Sequence, residues 1–141
     1  MTTNEKKNGI IFLIACVAIP VLYGIFQDKS LKKHLAFTHG TISDVYRRIK
    51  DAGIGFQYDF VCANGQKITH TTFYGCNSSI TIKEIRKIVL NRQFPVVYDS
   101  LDCGITYMVF DKNRIAQFNI ASRLTEEDKA NIALMARICN H

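Results

Sequence analysis

The chain has 141 residues, 48% hydrophobic and 21% charged, with 18 Lys and Arg against 12 Asp and Glu. That length accommodates one domain with a modest core and excludes a second independent one. The composition is globular and the net charge of +6 is mild, but the apolar share is inflated by a single segment near the N-terminus.

No charged residue occurs from Asn8 to Gln27, and twenty helical residues span about 30 Å, the thickness of a bilayer's hydrocarbon core. From Gly9 to Phe26 the apolar bulk comes from Ile10, Ile11, Phe12, Leu13, Ile14, Val17, Ile19, Val21, Leu22, Ile25 and Phe26. Each favours insertion by roughly 0.3–0.6 kcal/mol when central, so the segment reads as a transmembrane helix and as the membrane anchor of the chain. Pro20 is tolerated in such a helix. Two rivals use the same residues. One is a cleaved signal peptide with Lys6 and Lys7 as its basic region, which lacks a small-x-small cleavage site. The other is a lipoprotein signal ending at Leu13-Ile14-Ala15-Cys16, which is opposed by the apolar run continuing to Phe26; the bland role of Cys16 is a small apolar residue in a helix.

Beyond the span, Lys29, Lys32 and Lys33 suit interfacial anchoring by snorkelling side chains. The soluble remainder carries sixteen basic against eleven acidic residues, a modest excess compatible with anionic lipid headgroups or an acidic partner. Residues 1–34 are thus expected to be cytoplasmic tail, anchor and juxtamembrane segment, 35–124 a small antiparallel β-barrel, and 125–141 a C-terminal helix.

Ala36 to Arg47 reads as a first strand with a bend at Gly40, ended by a turn over Lys50-Asp51-Ala52-Gly53. Ile54 to Ala63 alternates, with Ile54, Phe56, Tyr58, Phe60 and Cys62 on one face, and Asn64-Gly65 follows as a hairpin signal. A two-residue loop there would set Phe56 opposite Phe73, Tyr58 opposite Thr71, Asp59 opposite His70 and Val61 opposite Ile68 on the returning strand Gln66 to Tyr74. Thr81-Ile82-Lys83-Glu84 fits a capping box opening a short helix, whose face is Ile82, Ile85, Ile88 and Val89 and which ends near Asn91. Phe94 to Asp99 is strand-like, with Pro95 suited to a strand start or edge, and Gly104 to Phe110 should pair with it across a turn at Leu101 to Cys103. Ile115 to Ala121 is a weaker strand signal. Thr125 followed by Glu126, Glu127 and Asp128 opens a last helix, because a threonine caps and acids favour the positive helix end. Its apolar residues Ile132, Leu134, Met135 and Ile138 either cover the barrel or form an interface with another protein.

The fold class expected is therefore mainly β within α+β: a transmembrane helix, a small antiparallel β-barrel with one inserted short helix, and a C-terminal helix. Leu35 to Phe110 resembles a family of small bacterial membrane-anchored domains of uncharacterised function. The matching residues are Thr38-His39-Gly40-Thr41-Ile42, the Phe56/Tyr58/Phe60 alternation before Asn64-Gly65, and Pro95-Val96-Val97-Tyr98. The resemblance implies a membrane helix followed by a small barrel, and it carries no catalytic residues.

Chemistry-bearing motifs are sparse. Cys62, Cys76, Cys103 and Cys139 lack a zinc-ligand or redox spacing; they are expected as buried thiols, with one or two disulfides as the alternative and the pairing open. An enzymatic reading would use Asp59, His70 and Cys76, an Asp orienting a His beside a thiol, while the bland reading is a cross-strand surface pair and a turn cysteine. A nucleic-acid reading would use Tyr46, Phe56, Tyr58 and Phe73 with the basic excess, although alternation places most of these in the core. What remains is a single-pass, membrane-anchored binding or structural subunit of a bacterial membrane protein complex. Its expected partners are the lipid bilayer and another membrane protein or a second copy, with no cofactor, metal, nucleic acid or small-molecule ligand. Its expected place is the bacterial inner membrane with an extracytoplasmic domain. The side rests on likeness to a signal anchor, since two lysines before the span and three after it leave the positive-inside rule nearly silent.

Overall fold

A computed structural model of the chain describes residues 3–48, 53–76 and 79–139. The turn expected over Lys50-Asp51-Ala52 lies outside those residues. The first element is a 31-residue helix, α1 (Thr3–Lys33), which runs through Pro20 without interruption. Its apolar residues from Ile10 to Phe26 are exposed, and it is long and apolar enough to cross a bilayer. Only His34 separates α1 from the first strand.

Five antiparallel strands follow: β1 (Leu35–Arg47), β2 (Gly53–Val61), β3 (Lys67–Gly75), β4 (Gln93–Asp99) and β5 (Thr106–Met108). Their order is β3-β2-β1-β4-β5, and the sheet curls until its outer strands β3 and β5 approach, giving a nearly closed barrel. A five-stranded, partly open barrel is also the frame of oligonucleotide- and oligosaccharide-binding proteins. A shared frame assigns no function. Between β3 and β4 lies α2 (Ile82–Val89), and after β5 come α3 (Lys112–Phe118), a 3-10 turn (Ala121–Arg123) and α4 (Glu126–Cys139).

The expected helices at both Thr-led motifs form. Thr81 and Glu84 make the reciprocal capping box of α2, and Ile85 and Val89 are its buried face. At α4 the Thr125 hydroxyl accepts from the Asp128 N–H at 3.1 Å, while the Asp128 carboxylate accepts from the Thr125 N–H at 2.8 Å. The strand expected over Ile115 to Ala121 is instead α3 and the 3-10 turn. Asp111 caps the Arg114 N–H at 2.9 Å and Asn119, at φ 51°, stops the helix. The apolar pair Ile115 and Phe118 is spaced for a helix face rather than for a strand.

The β2–β3 hairpin corrects the expected register by one residue. The Cys62 N–H bonds Gln66 O, and the Gly65 N–H bonds Cys62 O, so the loop is Ala63-Asn64-Gly65 with Gly65 at φ 82°. Three-residue loops of this kind end on a left-handed glycine. Phe56 therefore faces Thr72, Tyr58 faces His70, Asp59 faces Thr69 and Val61 faces Lys67. A one-residue slip exchanges the faces of β3. Phe73, expected inside, is exposed.

In β1 the irregularity falls between Ile42 and Asp44 rather than at Gly40. Gly40 serves close approach instead, since a Cβ there would lie 2.7 Å from Val96 Cγ2 and against Tyr58 and Met108. Strand β4 is central, not an edge, and is buried from Phe94 to Asp99. Pro95 is accommodated because its carbonyl, accepting from the Val109 N–H at 2.8 Å, faces β5. Its nitrogen faces the same way with no hydrogen to give, and the β4–β5 ladder ends beside it at Val96–Met108.

Two apolar clusters result. Inside the barrel, Ile42, Val45, Ile54, Phe56, Tyr58, Phe60, Phe94, Val96, Met108 and Phe110 pack with Ile85 and Val89 of α2 and Met135 and Ile138 of α4. Phe110 is central, with ring centroids 4.9 Å from Phe94, 5.0 Å from Phe56 and 5.4 Å from Tyr74. On the outer side of β4, Val97 packs with Val109, Phe118, Ile120 and Leu31 of α1.

Candidate functional site

The residues offered for catalysis do not converge. Asp59 sits on the outer face of β2, where the Thr69 hydroxyl donates to it at 2.6 Å and Lys67 lies 3.6 Å away. His70 turns to the opposite face, opposite Tyr58, with its Nδ1 3.5 Å from the Tyr58 hydroxyl. Burial holds the His70 imidazole below its ordinary pKa, partly offset by a backbone hydrogen bond at Thr71. Desolvation pushes Tyr58, which also lies 3.4 Å from the Thr106 hydroxyl, up to about 12. The third member, Cys76, is bonded to Cys139. Once the register shifts by one, nothing joins the carboxylate, the imidazole and a thiol.

The four cysteines of the domain form two disulfides, Cys62–Cys103 and Cys76–Cys139, rather than the buried thiols expected. The first ties the β2–β3 loop to the β4–β5 turn, at the end of the barrel where β1 begins. The second ties the far end of β3 to the C-terminus of α4. Cys16 in α1 is the free cysteine and is exposed.

Three polar clusters went unpredicted. At the end of α1, the Ser30 hydroxyl donates to Asp99 at 2.5 Å and His34 Nδ1 lies 3.8 Å from the same carboxylate. Burial alone would raise the Asp99 pKa. Hydrogen bonds from Ser30 and the N–H groups of Leu101 and Asp102, with His34 nearby, hold it below the ordinary carboxylate range. On β1, His39 Nε2 lies 3.1 Å from the buried Asp128 of α4, and its ring stacks edge-on against Phe37. Beside it, Arg92 bonds the Asn131 amide oxygen at 3.1 Å and the Asn131 amide donates to Gln93 O at 2.9 Å. These last two clusters pin α4 to the barrel. Each joins residues far apart in the chain, so no local motif announces it.

Ile132, Met135 and Ile138, offered as an interface, are buried within the domain, and Leu134 is half-buried against the same core. The breadth of this apolar face reflects a helix that covers the barrel and is closed over by Cys139. Of the aromatics weighed for nucleic acid, Phe56 and Tyr58 are fully buried and cannot stack on a base. Tyr46 and Phe73 meet outside, centroids 6.3 Å apart, with the Arg48 guanidinium 4.4 Å above Phe73.

A groove of about 480 Å³ lies where the end of β3 meets α3 and α4. Phe110, Ile115, Leu124, Ile132 and Ala133 form its bed, and Asp111, Lys112 and Lys129 its charged rim. Tyr74 at one wall has its hydroxyl pKa raised by burial and by the Asp111 charge. Lys129 is paired with Glu126 at 2.6 Å. An apolar bed with a polar rim suits shape-based binding of an apolar group. No family model, curated protein or solved structure matches the chain.

Proposed function

We propose that the chain is a single-pass, membrane-anchored binding or structural subunit of a bacterial inner-membrane protein complex, with its barrel on the extracytoplasmic side and no catalytic role. The observation that carries this reading is the join between α1 and the barrel. The apolar helix does not end in a linker: Leu31, five residues past the apolar run, is fully buried against Val97, Val109, Phe118 and Ile120. Ser30 beside it is tied to Asp99 by a hydrogen bond, and His34 Nδ1 lies 3.8 Å from the same carboxylate. A helix whose last turn belongs to the domain's packing acts as a permanent anchor rather than a leader to be removed.

The side of the membrane is supported by the two disulfides, which persist in oxidising compartments. The bacterial setting rests on the family resemblance of Leu35 to Phe110. Against catalysis stand the separation of Asp59 from His70 and the engagement of Cys76 in a disulfide. The groove between α3 and α4 then serves as contact surface for another membrane protein or a second copy.

The test is a pair of C-terminal fusions, one to an enzyme active only outside the cytoplasm and one to a protein fluorescent only inside it. Activity of the first with silence of the second is expected; fluorescence alone would overturn the orientation. Cross-linking in intact membranes should add a discrete larger species, and an exclusively monomeric product would overturn the subunit role.

A further inference from the structure

We propose that the end of the barrel beside α1 sits directly on the bilayer surface, with Leu101 in the boundary between headgroups and acyl chains and Lys29, Lys32, Lys33 and Arg123 among lipid phosphates. This deepens the anchoring reading above and rests on it.

The depth follows from the helix. A bilayer is about 30 Å of hydrocarbon within 40–45 Å overall, so its interfacial zone is about 5–7 Å on each side. At 1.5 Å per residue, Ser30 stands about 6 Å beyond Phe26, the last residue of the apolar run. Ser30 therefore lies within the headgroup zone when the run fills the hydrocarbon.

The barrel is held at that same level. Asp99, the last residue of β4, accepts from Ser30 at 2.5 Å, and its other oxygen accepts from the Leu101 N–H at 2.9 Å. The Ser100 N–H bonds His34 O at 2.9 Å. The turn after β4 is thus hung on the last helical turn of α1 and the adjoining His34 by two hydrogen bonds, while the Leu101 bond holds the turn itself, and Cys103 fixes it to Cys62. Leu101, the tip of that turn, is 74% exposed, and Val61, beside Cys62, is 54% exposed. A lone exposed leucine is ordinary. A leucine and a valine flanking one disulfide, on a turn tied to a helix at headgroup depth, are placed as interfacial anchors.

The surrounding charge agrees. Lys29, Lys32 and Lys33 are on α1 itself, and Arg123 is exposed on the 3-10 turn next to Ile120, which packs on Leu31. Basic side chains at this depth reach lipid phosphates while their stems lie along the apolar boundary.

The chain contains no tryptophan, so a single introduced indole reports its own surroundings. Three full-length variants, Leu101→Trp, Leu13→Trp and Phe73→Trp, are reconstituted in vesicles of phosphatidylcholine and phosphatidylglycerol. Each is quenched by lipids brominated at shallow or deep acyl positions and by aqueous iodide. Leu13 reports the span, and Phe73, exposed beside Tyr46 at the far end of the barrel, reports water. The expected result is shallow-bromine quenching at Leu101→Trp, deep-bromine quenching at Leu13→Trp, and iodide access at Leu101→Trp about threefold below that at Phe73→Trp. If Leu101→Trp behaves like Phe73→Trp while Leu13→Trp is quenched by deep bromines, the seating is overturned and the anchor stands. If Leu13→Trp is not quenched by lipid, both fail.

Discussion

The two apolar clusters meet back to back across β4, and they differ in kind. The one inside the barrel is rich in rings, is sealed at one end by α2 and α4, and contains the Cys76–Cys139 bond. The one outside is smaller, has no disulfide among its members, and includes Leu31, a fully buried residue of α1. Phe94, Val96 and Tyr98 of β4 serve the first and Val97 the second. One strand buried on both faces thus separates the packing that makes the domain from the packing that attaches it. Making and attaching should then be separable by mutation.

The largest effect is expected at Phe110, whose ring meets three others inside the barrel. Phe110→Ala should cost about 3–5 kcal/mol, seen as a lower urea midpoint of the full chain in detergent, because a ring-sized cavity cannot collapse among rigid neighbours. Joint replacement of Cys76 and Cys139 by Ser should cost about 2–5 kcal/mol in the same measurement, since it frees a 63-residue loop in the unfolded chain. An unchanged midpoint for either would mean the inner cluster does not hold the domain.

Leu31→Ala breaks or sharpens the comparison most directly. It should weaken the outer cluster by about 2–3 kcal/mol. The readout is faster proteolysis between Asp28 and Leu35, with a urea midpoint nearer to that of the unaltered chain than to that of Phe110→Ala. If the midpoint falls as far as in Phe110→Ala, the two clusters are one cooperative unit.

The smallest effects are those of pH, and they separate the clusters again. The depressed pKa of His70 means the unfolded chain takes up a proton first as pH falls below 6.5. Barrel stability is therefore full above 6.5 and declines through the window down to the lowered pKa. The depressed pKa of Asp99 works at lower pH: its contribution is present above the ordinary carboxylate value of 3.8 and is lost as pH falls through the lowered one. Urea midpoints should thus begin to drop before protease sensitivity of the joint rises. His70→Gln should remove the first step and Asp99→Asn the second; simultaneous loss in the unaltered chain would contradict the assignment.

Much of the frame was legible because its signals are local. An uncharged run marks α1, strict alternation marks β2, and Thr-x-x-Glu and Thr-Glu-Glu-Asp open α2 and α4. The register of the hairpin was not, because Asn64-Gly65 serves a two-residue or a three-residue loop equally well and nothing nearby counts the residues. That single step moved His70 away from Asp59 and Phe73 out of the core, so the candidate site failed with it. Helix α3 escaped because seven residues are too few to show a period. Leu31 looked like one more residue of a basic flank. Its burial depends on Val97, Val109 and Phe118, which only the closed barrel brings to it.

The order of the bonded cysteines along the chain is 62, 76, 103, 139, with the first joined to the third and the second to the fourth. The two loops interleave rather than nest. Any single backbone cut between Cys62 and Cys139 therefore falls inside at least one covalent ring, and both pieces stay joined to each other and to α1. A protease must cut at least twice in that stretch before any fragment can leave, so only a cut before Cys62 parts the domain from α1 in one step. On a non-reducing gel the singly nicked chain should run as one species, and it should split in two only after reduction.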